Sequence, residues 1–242
     1  MDFSTLCIHG NNKKYDNTGA ISVPVFQTAT FAHPGVGLST GYDYSRLQNP
    51  TREHLEKTVA KLEAGTDAMA FSSGMAAIAA LMELFSPGDH IIASDDLYGG
   101  LYRLFQGISK KNGISFSFVN TSDISQIESE IGPQTKALFI ETPTNPMMHV
   151  TDISKAAKLT KSRNLLLIVD NTFLTPYFQK PLTLGADIVV HSGTKFLGGH
   201  NDTLAGFLAV SDSGLSERLR FIYKTTGACL SPFDSWLLIR GI

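Results

Sequence analysis

The chain has 242 residues, of which 43% are hydrophobic, 10% aromatic and 17% charged, and 20 Lys+Arg against 22 Asp+Glu leave a formal net charge of −2. This is ordinary globular composition, enough for one large domain or a domain with an appended arm, and it excludes disordered, collagen-like and repeat proteins. A near-neutral charge gives no electrostatic case for nucleic acid or an anionic membrane as partner, so a small molecule is the expected ligand.

In chain order, the N-terminus MDFSTLCIHGNNKKYDNTG is polar and lacks the basic-then-apolar pattern of a secretory signal. Cys7 and Cys229 stand far apart, with no CxxC and no histidine pair nearby, which suggests neither a disulfide framework nor a zinc site. A reducing, cytoplasmic setting fits this cysteine usage. No apolar run approaches the length of a membrane span. Residues 1–52 are read as an extended arm, broken by Pro24, Pro34, Gly35, Gly37, Gly41 and Pro50. Leu55, Val59 and Leu62 then fall at helical spacing, with Gly65 as the expected C-terminal cap.

From there short apolar runs alternate with helical patterns. Strands are predicted at Asp67–Phe71, His90–Ala93, Ile114–Val119, Lys136–Ile140, Leu165–Val169, Asp187–His191 and Leu204–Val210. Helices are predicted from Ser72 onward, from about Leu101, through Ile124, Ile127 and Ile131 to the Gly132-Pro133 stop, and over 152–163. The alternation predicts an α/β domain over 53–242, a mostly parallel sheet wrapped by helices. The segment SPFDSWLLIRGI starts a helix carrying Trp236, Leu237 and Ile239. Such an apolar surface needs a partner, so the chain is expected to be part of a longer protein.

Ligands of open α/β sheets gather at the carboxyl ends of strands, and four clusters fall there. Ser72-Ser73-Gly74-Met75 joins a strand to a helix, where free amides and a glycine suit a phosphate, although the serines could equally cap the helix. Asp170 ends the apolar run LLLIV, followed by Asn171 and Thr172. Ser192, Thr194 and Lys195 leave the strand DIVVH together ahead of a Gly-Gly turn. A lysine held there is expected to be buried, which depresses its basicity and makes it a nucleophile. Tyr98, beside Gly99-Gly100, and Asn145, in ETPTNP, form the fourth cluster. A lysine for a Schiff base, hydroxyls and amides for a phosphate, and a carboxylate for a pyridine nitrogen together fit pyridoxal phosphate. A dinucleotide fold is weakened by the lack of GxGxxG after an early strand.

The motifs YDYSRLQNPTR, SSGMAAI, DDLYGG, ETPTNP, VDNTF, SGTKFLGGH and SPFDSWLLIRG, in this order and spacing, resemble the cystathionine γ-synthase, γ-lyase and β-lyase group, the Cys/Met metabolism enzymes of pyridoxal phosphate fold type I. The resemblance runs from about Ser22 to the end of the chain. It implies that Lys195 condenses with the cofactor and shuttles protons, with Tyr98 stacked on the ring and counted with Lys195 among the catalytic residues. It implies further that Asp170 pairs with the pyridine nitrogen, that Asn145 meets the ring hydroxyl, and that Ser73, Gly74, Met75, Ser192 and Thr194 hold the phosphate. Tyr44 and Arg46 would reach the phosphate of a neighbouring subunit, which implies a homo-oligomer, a dimer or tetramer. Arg103, one helical turn past the Tyr98 loop, is a candidate for substrate; His191 and His200 receive no role.

Two departures stand out. The family's C-terminal domain, with the arginine for the substrate α-carboxylate, is not in this sequence, and position 100 is glycine where methionine γ-lyases resemble one another in having cysteine. The expected activity is transsulfuration: making or breaking a C–S bond in cystathionine or an O-acylhomoserine by β/γ-elimination or γ-replacement. O-acetylhomoserine sulfhydrylase and a catalytically silent cofactor-binding fragment are the alternatives.

Overall fold

Seven short runs, dominated by apolar and β-branched residues, assemble into one sheet in the computed structural model, which describes residues 1–10 and 18–242. Positions 11–17 of the expected arm lie outside the described residues. The strands are β1 (Asp67–Phe71), β2 (His90–Ser94), β3 (Ser115–Val119), β4 (Thr135–Glu141), β5 (Leu166–Asp170), β6 (Ile188–Ser192) and β7 (Gly206–Val210), in the order β1-β7-β6-β5-β4-β2-β3. The pairs from β3 across to β6 are parallel, whereas β7 runs antiparallel to both β6 and β1. The reason lies in the connection: no helix crosses between β6 and β7, and a chain that returns without a crossover pairs antiparallel.

The helices are α1 (Phe3–His9), α2 (Pro50–Leu62), α3 (Gly74–Met82), α4 (Gly99–Arg103), α5 (Ile124–Ser129), α6 (Ile153–Ser162), α7 (Thr175–Phe178), α8 (Ser213–Thr226) and α9 (Pro232–Gly241). A π-helical turn, Leu104–Ser109, continues α4. Among the described residues no helix is long and apolar enough to cross a membrane. Alternation along the strands sends side chains to two cores. Met69, Ile91, Phe139, Ile168, Val190 and Leu208 pack with Leu81 of α3 and Leu219 of α8. On the opposite face Ala68, Val189 and Phe207 meet Leu55 and Val59 of α2, while Leu138, Leu167 and Val169 meet Ile153 and Ala156 of α6. Each fully buried Val, Leu, Ile, Met or Phe side chain among them contributes roughly 2 kcal/mol.

Several expectations are corrected. The arm is not wholly extended, since Asp2 accepts the Thr5 N–H and starts α1. The α2 cap is a Schellman motif in which Ala64, at φ 58°, takes the left-handed position instead of Gly65; Gly65 N–H donates to Ala60 O at 2.8 Å and Ala64 N–H to Lys61 O at 3.1 Å. A Cβ on Gly65 would sit 2.7 Å from Val210 O, so the glycine serves the close approach to β7. α8 was not read from the sequence; Leu215, Leu219 and Tyr223 are its buried stripe. Part of the α9 surface packs within the chain, since Leu238 is buried in the α2 core and Ile239 packs against it, while Trp236 and Leu237 stay half-buried.

Candidate active site

Asp170 is the last residue of β5, and Thr172 ties down one of its oxygens. Thr172 donates to Oδ1 from both its N–H (3.0 Å) and its hydroxyl (2.6 Å). The same hydroxyl accepts the Ser192 N–H at 2.8 Å, which locks the ends of β5 and β6 together. Burial raises the Asp170 pKa, opposed by the Thr172 hydrogen bonds and by the charge of His191. No hydrogen bond to Asp170 Oδ2 is present among the described residues. Oδ2 is not among the buried side-chain atoms left without a partner, so it opens toward the end of the sheet, where an N–H donor can reach it.

Glu141 was not singled out from the sequence, although it opens ETPTNP. It stands in register with Asp170 at the end of β4. Burial pushes its pKa up to about 8, with the Asp170 charge and then the Asp96 charge adding to the effect; the Tyr98 and Asn145 N–H groups oppose them. Tyr98 N–H donates to Glu141 Oε2 at 3.0 Å, so the acid fixes the start of the Tyr98 loop. Asp96 in turn accepts from the Thr144 hydroxyl and from Met147 N–H (2.9 Å), joining the loops after β2 and β4. Asn145 is exposed in the second of these loops.

On the neighbouring side of the sheet end, Ser73 caps α3 by accepting the Ala76 N–H at 3.0 Å. Gly74 opens the helix against Ser192: a Cβ there would lie 3.1 Å from Ser192 Cβ. Gly206, also not singled out beforehand, presses more closely still, since a Cβ on it would lie 2.1 Å from Ser73 O. The first turn of α3, with Met75 in it, is thus laid directly on β6 and β7. Helix-terminal amides and two nearby hydroxyl residues suit a phosphate.

The Ser192–Lys195 turn follows. The Thr194 hydroxyl accepts the Ala205 N–H at 3.1 Å and lies 3.3 Å from Ala205 O, bracing the turn on the start of β7. The burial expected for Lys195 is not found. The residue is exposed, because the turn carries it past the strand ends and buries Gly193 and Leu197 instead.

Tyr98 is 50% exposed. A Cβ on Gly100 would meet the Tyr98 ring at 2.4 Å and Met75 Sδ at 3.1 Å, so glycine here sets how the ring lies beside α3. Arg103 is exposed at the last position of α4. Tyr44 and Arg46 are also exposed, and in this chain they lie at the end of α8: Arg46 Nη1 donates to Lys224 O, and the guanidinium sits 5.5 Å from the Tyr44 ring centre. His200 Nδ1 lies 2.8 Å from Gly198 O.

The Cys/Met metabolism PLP-dependent enzyme family matches residues 4–242. The chain belongs to this family. It is 52% identical over 242 residues to a cystathionine gamma-lyase of Bacillus subtilis (strain 168), covering 100% of this chain and 64% of that relative. A cystathionine gamma-synthase of Haemophilus influenzae is 52% identical over 239 residues, covering 98% of this chain and 65% of the relative. The solved structure of a cystathionine gamma-lyase from Lactobacillus plantarum, complexed with L-serine, superposes with a TM-score of 0.97 at 46% identity, over 100% of this chain and 63% of that one. The chain thus spans less than two thirds of the length of these relatives. As in the family, the fold is the α/β large domain of pyridoxal phosphate enzymes. The residues present fit that cofactor: a buried carboxyl with an uncommitted oxygen for a pyridinium N–H, and a helix N-terminus kept clear by Gly74 for a phosphate.

Proposed function

We propose that this chain is the cofactor-binding part of a transsulfuration enzyme, which makes or breaks a C–S bond in cystathionine or an O-acylhomoserine by β/γ-elimination or γ-replacement, most like the γ-synthases and γ-lyases. The observation that carries the proposal is the buried Asp170, its Oδ1 held by Thr172 and its Oδ2 uncommitted. Bound pyridoxal phosphate supplies an electron sink for the carbanion left when an amino-acid α-proton departs. Asp170 holds the proton at the ring nitrogen, which keeps the ring cationic. Lys195 carries the amine that takes the α-proton and returns it further along the substrate. Tyr98 would stack on the ring face, and Asn145 would meet the ring hydroxyl. The amides of Ser73, Gly74 and Met75 and the hydroxyls of Ser192 and Thr194 bind the phosphate. Arg103 faces the amino-acid substrate. Tyr44 and Arg46 serve the phosphate of a neighbouring copy, so the working protein is a cytoplasmic homo-oligomer, a dimer or tetramer.

The test is product analysis with cystathionine: cysteine with 2-oxobutyrate identifies γ-elimination, and homocysteine with pyruvate identifies β-elimination. Asp170→Asn should retain the cofactor weakly while turnover falls by about 100-fold or more. Wild-type turnover in that variant would leave Asp170 as a structural cap. An O-acetylhomoserine sulfhydrylase is the second reading, supported by 53% identity over 231 residues to a Bacillus subtilis (strain 168) protein named cystathionine gamma-synthase/O-acetylhomoserine (thiol)-lyase. A silent cofactor-binding fragment is the third; any turnover by these 242 residues alone would reject it.

A further inference from the structure

A polar network with no assigned role lies on the far side of the sheet from the cofactor face. Along β6, Ile188 and Val190 point to the α3–α8 core, and Asp170, two residues after Ile168 and in register with Val190, shares that face. His191 points the other way, toward α2. There it meets Glu63, the C-terminal cap of α2, with Nε2 2.5 Å from Glu63 Oε1. Both side chains are 0% exposed. Asn171, the residue after Asp170, donates from Nδ2 to Glu63 Oε1 at 3.0 Å and to Gln179 O at 2.9 Å. Gln179 returns a bond from Nε2 to Asn171 Oδ1 at 2.9 Å and a longer one, 3.3 Å, to Thr142 O.

The network grips the residue after Asp170 and the residue before Ser192, the two strand ends where the proposed cofactor face begins. It is also incompletely satisfied. Glu63 Oε2 and His191 Nδ1 are buried with no hydrogen-bond partner among the described residues. Stability alone would favour apolar side chains over a buried acid and imidazole with an orphan atom each. The electrostatics give them a purpose. The His191 charge favours the Asp170 carboxylate through the sheet, and Glu63 is the acid that faces His191. His191 thus stands between the Glu63 carboxyl on the α2 side and the strand end that carries Asp170.

We propose that Glu63 and His191 are positioning residues for Asp170, fixing its strand end from behind the sheet. The inference rests on the cofactor role given to Asp170 above. Groups that orient a ligand-binding side chain from behind are worth about 10- to 100-fold in affinity at metal sites, and an effect of that order is expected here.

The experiment is a double-mutant cycle on the purified protein, read as the dissociation constant for pyridoxal phosphate from its visible absorption, beside the melting temperature. Glu63→Gln should weaken cofactor binding about tenfold, and the same substitution in an Asp170→Asn background should change it little. An equal loss in both backgrounds would mean that Glu63 acts only on general stability and would overturn the proposal. So would a lowered melting temperature with unchanged cofactor affinity. Because Glu63→Gln leaves His191 buried beside a neutral partner, Gln179→Leu is the milder probe at the half-buried end of the network. It should weaken binding a few-fold, again only while Asp170 is present. If Asp170→Asn alone leaves cofactor affinity and spectrum untouched, the site reading itself is wrong, and the inference falls with it.

Discussion

Glu141 and Asp170 stand in register at the ends of adjacent parallel strands, two carboxyls side by side with the pKa of each raised mainly by burial. Such a pair cannot be doubly charged cheaply without a cation. Glu141, at about 8, is the acid that stays protonated at neutral pH, which leaves Asp170 for the cofactor role given to it in the proposed function.

The pair makes a stability prediction. Glu141 has a folded pKa of about 8 against an ordinary 4.5, so the folded state holds a proton that the unfolded chain has released between those values. Stability is then full below about pH 4.5 and is lost as pH rises through about 8. Urea melts across that window should show a falling stability for the cofactor-free protein, and Glu141→Gln should flatten the fall. Asp170 is raised as well, so the slope shrinks without vanishing. An unchanged slope in Glu141→Gln would show that its carboxyl ionises normally.

Close packing of β7 under the Ser73–Gly74 turn makes a second prediction. With Ser73 O only 2.1 Å from where a Cβ would be, Gly206→Ala must push the Ser73–Gly74 peptide away from the sheet. A loss of about 3 kcal/mol is expected in denaturant melts, at the upper end for overpacking, with weaker cofactor binding alongside. Gly99→Ala is the control, since a Cβ there has nothing within 4 Å. Equal melts for the two variants would contradict this packing.

Assembly is tested by complementation. Tyr44 and Arg46 lie by the end of α8 in their own chain, and the proposed function has them serving a neighbour's phosphate. Mixing an Arg46→Ala protein with a Lys195→Ala protein should then restore activity well above either alone, because a mixed dimer holds one intact site and one doubly damaged site. No gain, with subunit exchange shown independently, would return Arg46 to its own chain.

What was legible in the sequence was what local pattern encodes. The apolar run LLLIV before Asp170 could be little but a buried strand, and Ser73 before an alanine-rich stretch could start a helix. What was missed depends on which strands become neighbours. Glu141 matters because β4 lies beside β5, Gly206 because β7 folds back under Ser73, and Glu63 because α2 lies beneath His191. None of these pairings leaves a local trace. Lys195 was misjudged for a related reason: apolar neighbours in sequence say that a strand is buried, not that the turn leaving it is. Ala64 in a left-handed cap was unreadable beside a glycine, the residue that ordinarily takes that conformation.

The proposed function puts the cofactor on Lys195, and borohydride reduction of the protein loaded with pyridoxal phosphate, followed by peptide mass spectrometry, reads that bond. The reduced bond makes the link permanent, so the pyridoxyl group should be found on the peptide containing Lys195 and nowhere else, and Lys195→Ala should lose the visible band while keeping its fold. A label on a different lysine, or an unchanged spectrum in Lys195→Ala, would put the cofactor bond elsewhere and rule out Lys195.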